Sequence, residues 1–381
     1  MARVRKKRRR PDKPGQSPTD GGRAPAAVDG ALPPPPTPPA PRFPRPTLSI
    51  ALPGSILSNA QSSELRTYLA GQISRAAAIF RVDEVVVFGE RDAAAASVGP
   101  GGGRRRSSVP VPEAEDLLAL LLTYLETPQY LRKHLFPLNP ALRLAGLLNP
   151  LAATHHLPYD EAFRFREGVV VPPPGGGDSS GGGQPVPSSL VDVGLRRWAS
   201  LPSPVASGTR VTVDFGAAFT AHEAIPGRHL PAVVVDRSAP RDTPAAGWPA
   251  GRYWGYTVRR AATLSAVFEE CSYDGGYDLA VGTSEHGAES PADVARLAAA
   301  GTYAHAVVVL GGVAGLEFSV QGDPRLEERG VEAAGGAPDG PRVADLFDAY
   351  VNVCPTQGSN TIRTEEALLI ALARLTPALG L

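Results

Sequence analysis

Three glycine-containing loops carry the residues whose types and spacing best suit the binding of a ligand. They cover residues 282–287, 311–317 and 355–364, and each follows a short apolar run typical of a buried strand. In open α/β sheets, ligands bind beyond the carboxyl ends of the strands. Glycines in such loops let a ligand approach backbone N–H and C=O groups. The three loops together therefore predict one binding site, although each loop alone is also typical of an ordinary tight turn.

The charges around these loops indicate which ligands would fit. The absence of G-x-x-x-x-G-K-[ST] excludes a P-loop nucleotide site, and 311–315 lacks the full spacing of a dinucleotide fingerprint. The last predicted helix begins at Thr364, and the carboxylates of Glu365 and Glu366 in its first turn would repel a phosphate. Such a helix start suits ribose hydroxyls or a cation, and S-adenosylmethionine, a nucleoside with a positive sulfonium, meets this demand. Simple complementarity between carboxylates and helix dipole remains an alternative explanation.

Other chemistries find less support in the sequence. Neither a G-x-S-x-G elbow nor an H-E-x-x-H motif occurs. The seven histidines are scattered, and the adjacent pair His155 and His156 would not share a helix face, so we expect no metal site. Cys354 follows a predicted strand and is either a nucleophile or a buried thiol. Two cysteines exclude a disulfide framework and a cysteine-based zinc site, which favours a reducing compartment.

The elements that must position these loops alternate between strand and helix. A first strand is predicted from Thr47, and a helix that begins after Ser58 places Leu65, Tyr68, Leu69, Ile73 and Ile79 at helical spacing. A strand at 85–88 and a helix at 113–127 follow. From residue 253 onward the pattern resumes with helices at 260–271, 290–301 and 365–375, and with strands at 277–281, 305–310 and 346–354. This order predicts an α/β fold with a parallel sheet.

The middle of the chain has a different pattern. Short β-rich runs at 168–171, 190–195, 209–215 and 230–235 are separated by segments rich in Gly, Pro and Ser. Several short strands at this spacing indicate a small, OB-like β-barrel inserted into the α/β domain. We therefore divide the chain into residues 1–46, a tail; 47–165, the first part of the α/β domain; 166–249, the inserted domain; and 250–381, its second part with the ligand-binding loops.

The first 46 residues are compositionally distinct. They hold 13 of the 40 prolines, which predicts a disordered tail. Residues 1–13 carry eight Lys or Arg and one Asp, so the remaining chain has 30 basic and 37 acidic residues, a net charge of −7. The basic run is typical of a nuclear-import signal or a nucleic-acid-binding arm, and a solvated run without a function is the alternative. No run of 18 apolar residues occurs, so we expect no membrane-spanning segment.

Several blocks of this sequence resemble the SPOUT-class RNA methyltransferases. These are TLSIALPGS, YWGYTVRRAATLSAVFEE, GTSEHG, VVVLGGVAGLE and above all YVNVCPTQGSNTIRTEEALLIAL. The resemblance covers about 47–165 and 250–381 closely and the insert more loosely. It implies a SPOUT-type parallel sheet with a C-terminal trefoil knot, S-adenosylmethionine bound in the knot loops, and a homodimer. Position 286 is a departure, because His286 stands where an arginine is expected.

The resemblance also implies which residues bind the cofactor and carry the reaction. The predicted cofactor residues are Thr283, Ser284, Glu285, Gly311, Gly312, Gly315, Leu316, Glu317, Val353, Cys354, Gln357, Gly358, Ser359, Thr361, Ile362 and Arg363. Two of the residues around the start of the last helix are the predicted catalytic groups. Arg363 would stabilise an anionic nucleophile, and Glu365 would act as a base or hold the ribose; a salt-bridged helix start is an equally plausible role for both.

By this resemblance the chain is expected to methylate RNA, with N3 of a uridine in large-subunit ribosomal RNA as the favoured target. The inserted barrel would then contact single-stranded or looped RNA. The alternative hypothesis is a binding or scaffold protein of kinetochores or the spindle that retains the cofactor pocket. The resemblance implies a nuclear location, with kinetochore and spindle proteins as possible partners.

Overall fold

The computed structural model describes residues 45–90, 114–173, 186–217, 219, 226–245, 247–249, 251–301, 303–331 and 342–381. All of these belong to one unit, Pro41–Leu381. The predicted disorder of residues 1–46 therefore falls almost entirely outside the described residues and stays a prediction.

The described residues form twelve strands and nine α-helices. The strands are β1 Thr47–Pro53, β2 Glu84–Phe88, β3 Phe165–Val170, β4 Pro187–Asp192, β5 Ala199–Ala206, β6 Arg210–Asp214, β7 Leu230–Pro231, β8 Val233–Val235, β9 Thr257–Ala261, β10 Leu279–Thr283, β11 His305–Leu310 and β12 Ala349–Val351. The helices are α1 Ser63–Ile79, α2 Ala114–Glu126, α3 Gln129–Leu135, α4 Ala239–Asp242, α5 Leu264–Glu269, α6 Pro291–Ala300, α7 Gly315–Gln321, α8 Pro324–Glu328 and α9 Thr364–Leu379.

The first sheet has six strands in the order β12-β10-β11-β1-β2-β9, and every neighbouring pair is parallel. Its central strands are buried on both faces, which explains their continuous runs of Val, Ile, Leu and Ala. One face packs against α1, α2, α6 and α9 and the other against α5, α7 and α8. The parallel α/β sheet predicted from the sequence is thus confirmed. Strand β9 was not predicted, and the helix predicted at 260–271 overlaps only its last two residues.

Helix α1 has two apolar faces. Its N-cap is Ser62, whose side chain accepts a hydrogen bond from the backbone N–H of Leu65 at 3.2 Å. The start predicted after Ser58 is wrong, because residues Gly54–Asn59 form a 3-10 helix. Leu69 and Ile73 lie in the core, whereas Leu65, Tyr68 and Ile79 are more than half exposed. Their helical spacing therefore marks a second face and not the core.

The second sheet has the strand order β7-β5-β4-β3-β6-β8 and is antiparallel except where β5 meets β7. One short segment, residues 230–235, supplies partners to two strands. Leu230 pairs with Ala199 of β5, and Val235 pairs with Thr212 of β6, so the strand pairings form a ring. The apolar side chains of this sheet form a core of their own. The OB-like barrel and the boundaries at 166 and 249 stay predictions.

A buried ionic cluster joins the second sheet to α2. Glu126, at the end of α2, accepts hydrogen bonds from Arg210 of β6 at 2.7 and 3.1 Å and from Arg237 at 2.5 Å. Glu167 of β3 accepts from Arg210 at 2.5 Å and from the indole N–H of Trp254 at 2.7 Å. Both carboxylates are at most 2% exposed. Burial alone would raise the pKa of each, but the neighbouring arginines outweigh it and hold both pKa values below the usual range.

Candidate functional site

The three predicted loops lie at one edge of the parallel sheet. Strands β12, β10 and β11 are neighbours in that order, and they end at Val351, Thr283 and Leu310. Because parallel strands all finish at the same edge, the loops that follow them are brought together. They enclose a cleft of about 270 Å³.

Most of the predicted cofactor residues line this cleft. The lining residues among them are Thr283, Ser284, Glu285, Gly311, Gly312, Gly315, Glu317, Val353, Cys354, Gln357, Thr361 and Ile362. Leu316, Gly358, Ser359 and Arg363 do not line it; Leu316 is buried in the core beneath α7, and the other three are exposed. The cofactor-binding roles of the lining residues stay predictions.

Glycine is required where the second loop folds back on itself. A Cβ on Gly311 would lie 2.5 Å from the carbonyl carbon of Gly315 and 2.6 Å from the nitrogen of Leu316. Gly315 itself has φ = +77°, a left-handed conformation that other residues rarely adopt. The two glycines thus let the chain turn tightly from β11 into α7, which leaves backbone groups at the wall of the cleft.

Hydrogen bonds tie the three loops to one another. The side-chain amide of Asn352 donates to the carbonyl of Glu285 at 2.8 Å, and its Oδ1 accepts from the backbone N–H of Cys354 at 2.9 Å. The hydroxyl of Thr364, at the start of α9, donates to the carbonyl of Gly311 at 3.1 Å. Both side chains line the cleft, although Asn352 was not predicted as a site residue. The loops therefore form one connected wall.

Tyr350 is a further residue that sequence reasoning missed. Its hydroxyl donates a hydrogen bond to Oε1 of Glu317 at 3.1 Å from beneath the cleft. Burial, together with the charge of Glu317, raises the pKa of this phenol, so the hydroxyl stays protonated and remains a donor. The ring packs against Gly282, where a Cβ would come within 2.8 Å of it. Only the position of Tyr350 in β12 was visible in the sequence, and its contact with Glu317 is a product of the fold.

The charge of the cleft favours a cation. Of the described residues that line it, Glu285 and Glu317 are acidic and none is Lys or Arg. His286 also lies at the mouth, 3.7 Å from a carboxylate oxygen of Glu285, and both side chains are exposed. A phosphate would find no cationic side chain within this wall, whereas a sulfonium or an ammonium would meet two carboxylates.

The two predicted catalytic residues lie beside the cleft and not in its wall. The backbone N–H of Arg363 donates to Oε2 of Glu366 at 3.0 Å, which caps the start of α9, while the Arg363 side chain is exposed. Glu365 is 9% exposed and is neither hydrogen-bonded nor ion-paired within the described part of the chain. Thr364 between them does line the cleft. The catalytic roles of Arg363 and Glu365 stay predictions.

The adjacent histidines His155 and His156 contact the end of α2. His155 and His156 both direct Nε2 to the carbonyl oxygen of Glu126, at 2.9 and 2.7 Å. Burial lowers the pKa of His156 to about 4, helped by its neighbour His155. Across the described ranges, three or more His, Cys, Asp or Glu residues nowhere gather in a way that could hold a metal ion. In the same ranges, each helix is too short or too polar to cross a membrane.

The described residues thus form an α/β protein with an anionic, glycine-walled cleft at the carboxyl edge of its parallel sheet. Comparison with known families identifies the class. The chain belongs to the RNA methyltransferase family described as "Putative RNA methyltransferase", whose family model matches residues 47–375. The resemblance seen in the sequence is therefore confirmed, and the match spans both sheets.

Individual relatives are similar over nearly the same range. A mouse protein named 28S rRNA (uridine-N(3))-methyltransferase is 47% identical over 337 residues, which is 87% of this chain and 77% of the mouse protein. The human protein of the same name is 47% identical over 339 residues, or 87% of this chain and 78% of the human protein. A Drosophila melanogaster protein, also so named, is 41% identical over 333 residues, covering 86% of this chain and 61% of the fly protein.

Proposed function

We propose that this protein is an S-adenosylmethionine-dependent RNA methyltransferase that modifies N3 of a uridine in large-subunit ribosomal RNA. Family membership and the names of the mouse and human relatives support the reaction and the target class. The observation that carries the proposal is the cleft at the carboxyl edge of the first sheet, where three loops meet and the charged side chains are Glu285 and Glu317, with His286 at the mouth.

The residues of the cleft fit S-adenosylmethionine. Its sulfonium is positive, and the carboxylate of Glu317, held by Tyr350, supplies a fixed negative charge in the wall. Backbone N–H and C=O groups of the loops 311–315 and 353–362 are placed where a nucleoside could be hydrogen-bonded without side-chain interference. When bound, this cofactor supplies an electrophilic methyl group.

The protein must also prepare the uridine. N3 carries a proton, which has to leave when the N3–C bond forms, and the carbonyl oxygens share negative charge if it leaves early. Glu365 accepts this proton and the Arg363 guanidinium stabilises the developing anion in our proposal. Both residues flank Thr364, which lines the cleft, and their place at the start of α9 supports these roles. The walls hold the two reactants in line, which removes much of the entropic barrier.

We further propose a homodimer with a trefoil knot in the C-terminal part and an OB-like barrel around the second sheet. An apolar surface supports the dimer: Leu65, Tyr68 and Ile79 of α1 are 53%, 56% and 54% exposed, and Leu369 on the packed neighbour α9 is 39% exposed. Exposed apolar side chains grouped on one face are typical of an interface. The ring of strand pairings through residues 230–235 supports the barrel.

Location and further partners follow from the proposed target. Methylation of ribosomal RNA places the protein in the nucleus or nucleolus. Kinetochore and spindle proteins stay predicted partners, and the family match favours an enzyme over the scaffold hypothesis.

A paired substitution tests the proposal. Thr361 and Thr356 are both exposed threonines of the loop after β12, but only Thr361 lines the cleft. Thr361→Trp should fill the cleft and abolish S-adenosylmethionine binding in calorimetry and the formation of 3-methyluridine, measured by nucleoside mass spectrometry on ribosomal RNA from depleted cells. Thr356→Trp should behave as the unsubstituted protein. Equal activity of the two variants would show that this cleft is not the cofactor site.

A further inference from the structure

The second sheet carries exposed aromatic and basic side chains well separated in sequence from the cofactor loops. We define the aromatic–basic surface as Arg196, Trp198, Arg228 and His229 together with the groove beside them. Two segments of chain meet there: the backbone N–H of Leu230 donates to the carbonyl of Trp198 at 2.9 Å. The guanidinium of Arg197 donates to the carbonyl of Gly227 at 2.7 Å, which fixes the second segment against the first.

The pairing of β5 with β7 turns Trp198 and His229 outward. Ala199 and Leu230 are in register and are both buried in the core of the second sheet. Since side chains alternate along a strand, the preceding residues, Trp198 and His229, point to the outer face. The indole of Trp198 is 38% exposed, whereas that of Trp254 is 2% exposed. An exposed indole offers a flat apolar face on which a planar group can stack.

The groove continues this outer face. It has a volume of about 730 Å³ and is lined by His229, Pro231 and Val233 on one side and by Phe215 on the other. The Phe215 ring is stacked on Phe219, with 4.5 Å between the ring centroids, which holds it in place. The groove therefore offers flat apolar surfaces beside an exposed indole.

The described residues of this surface carry a positive charge, although residues 14–381 carry a net charge of −7. Arg196 and Arg228 are exposed at its rim. Among the described residues that line the groove, the acidic one is Asp214, which is bound in a two-pronged ion pair by Arg164, at 2.8 and 2.7 Å. Exposed arginines around aromatic rings match a chain of phosphates that bears bases, because the bases stack and the phosphates pair with the guanidinium groups.

We propose that the aromatic–basic surface binds single-stranded RNA, with a base stacked on Trp198 and backbone phosphates held by Arg196 and Arg228. This inference rests on the proposed function, since it supplies the substrate contact of the same enzyme. It assigns the surface to RNA and not to an acidic peptide, because a peptide carboxylate would use the arginines and leave the indole and the groove without a stacking partner.

The test measures the binding of a short fluorescent uridine-rich RNA to the full-length protein. Loss of one stacked base weakens binding roughly 5- to 150-fold. Trp198→Leu, which keeps an apolar side chain, should therefore bind the RNA with an affinity lower than that of the unsubstituted protein by a factor in this range. Trp198→Phe, which keeps a ring, should recover most of the affinity. Every variant contains the basic residues 1–13, so their contribution to RNA binding is the same in all of them and does not affect the comparison.

The arginines are tested by salt dependence. The double variant Arg196→Ala, Arg228→Ala should lower the slope of log affinity against log salt by about 1.4 if both contact phosphates of a single strand. Arg296→Ala removes an exposed arginine of α6, which pairs with Asp293 and lies outside the aromatic–basic surface, and should leave the slope unchanged. Unchanged affinity in Trp198→Leu, or competition by an acidic oligopeptide as effective as that by RNA, would overturn the inference.

The design separates this inference from the proposed reaction. If the unsubstituted protein forms no 3-methyluridine but its RNA binding still depends on Trp198, the reaction is wrong and the surface stands. If 3-methyluridine forms and Trp198→Leu matches the unsubstituted protein in affinity and in KM for RNA, the reaction stands and the surface is wrong.

Discussion

Replacement of Arg210 by methionine tests the buried cluster that joins the second sheet to α2. Arg210 makes hydrogen bonds to both Glu126 and Glu167, which are at most 2% exposed. Methionine has a similar volume and no charge, so the variant leaves both carboxylates without their shared guanidinium. Breaking a buried pair in this way costs about 3–5 kcal/mol. We expect the lower end, about 3 kcal/mol, because Arg237 still pairs with Glu126 and Trp254 still donates to Glu167.

The loss of stability in Arg210→Met should depend on pH, because it arises from buried carboxylates that can be protonated. In the unsubstituted protein both glutamate pKa values are lowered, so the stability that they contribute is present above the ordinary glutamate pKa of about 4.3 and is lost as the pH falls through the lowered values. In Arg210→Met, burial is offset less, because only Arg237 remains as a cationic neighbour of both carboxylates among these arginines, and both pKa values rise. Protonation then removes the buried charge. The deficit in the free energy of unfolding should therefore shrink as the pH falls from about 7 to about 5.

Urea unfolding followed by tryptophan fluorescence measures this effect, since Trp254 is itself part of the cluster. Arg164→Met is the matched control: Arg164 pairs with Asp214 in the same sheet, but its side chain is 34% exposed. That pair should contribute about 1 kcal/mol or less. A deficit for Arg210→Met that is no larger than the control, or that is the same at every pH, would refute the account of a buried charge left without its partner.

Three other substitutions test the cleft and the proposed dimer. Tyr350→Phe removes the hydrogen bond that holds Glu317 and should leave the fold intact. It should weaken S-adenosylmethionine binding about 5- to 30-fold in calorimetry, equivalent to about 1–2 kcal/mol. Unchanged affinity would contradict a positioning role for Tyr350. Gly311→Ala places a Cβ against Gly315 and should lower both cofactor binding and the thermal midpoint, whereas an unaltered midpoint would show that the loop can relax. Tyr68→Asp puts a charge on the apolar face of α1 and should convert a dimer to a monomer in light scattering; a monomeric unsubstituted protein would remove the basis for the prediction.

The parallel sheet could be predicted because its central strands are buried on both faces and therefore appear as uninterrupted apolar runs. β9, with the sequence TVRRA, could not, since an edge strand beside one partner tolerates two arginines. The cap of α1 was misplaced for a related reason: Ser58 and Ser62 are both acceptable caps, and only the 3-10 helix over Gly54–Asn59 decides between them.

The candidate site could likewise be predicted only in part from the sequence. Glycine-rich loops after strands are visible in the sequence, and the topology brings three of them together. The side chains that hold the loops in place, Asn352 and Tyr350, act through contacts with residues 67 and 33 positions away. A residue's type at its own position carries no information on such a partner, so these roles become apparent only once the strands are ordered.

The two prolines of β5 have a consequence for the behaviour of the protein in concentrated solution. The carbonyls of Trp198 and Ser200 accept hydrogen bonds from the backbone N–H groups of Leu230 and Ala232. Pro202 and Pro204 lie beyond the point where β7 ends, in a stretch of β5 whose register against β4 shifts. An uncovered strand edge normally recruits strands from other molecules, but proline offers no N–H to such a strand. The two prolines, together with the register shift, thus protect this part of β5 from pairing with other molecules, and replacing both with valine should create an aggregation-prone protein with an intact core.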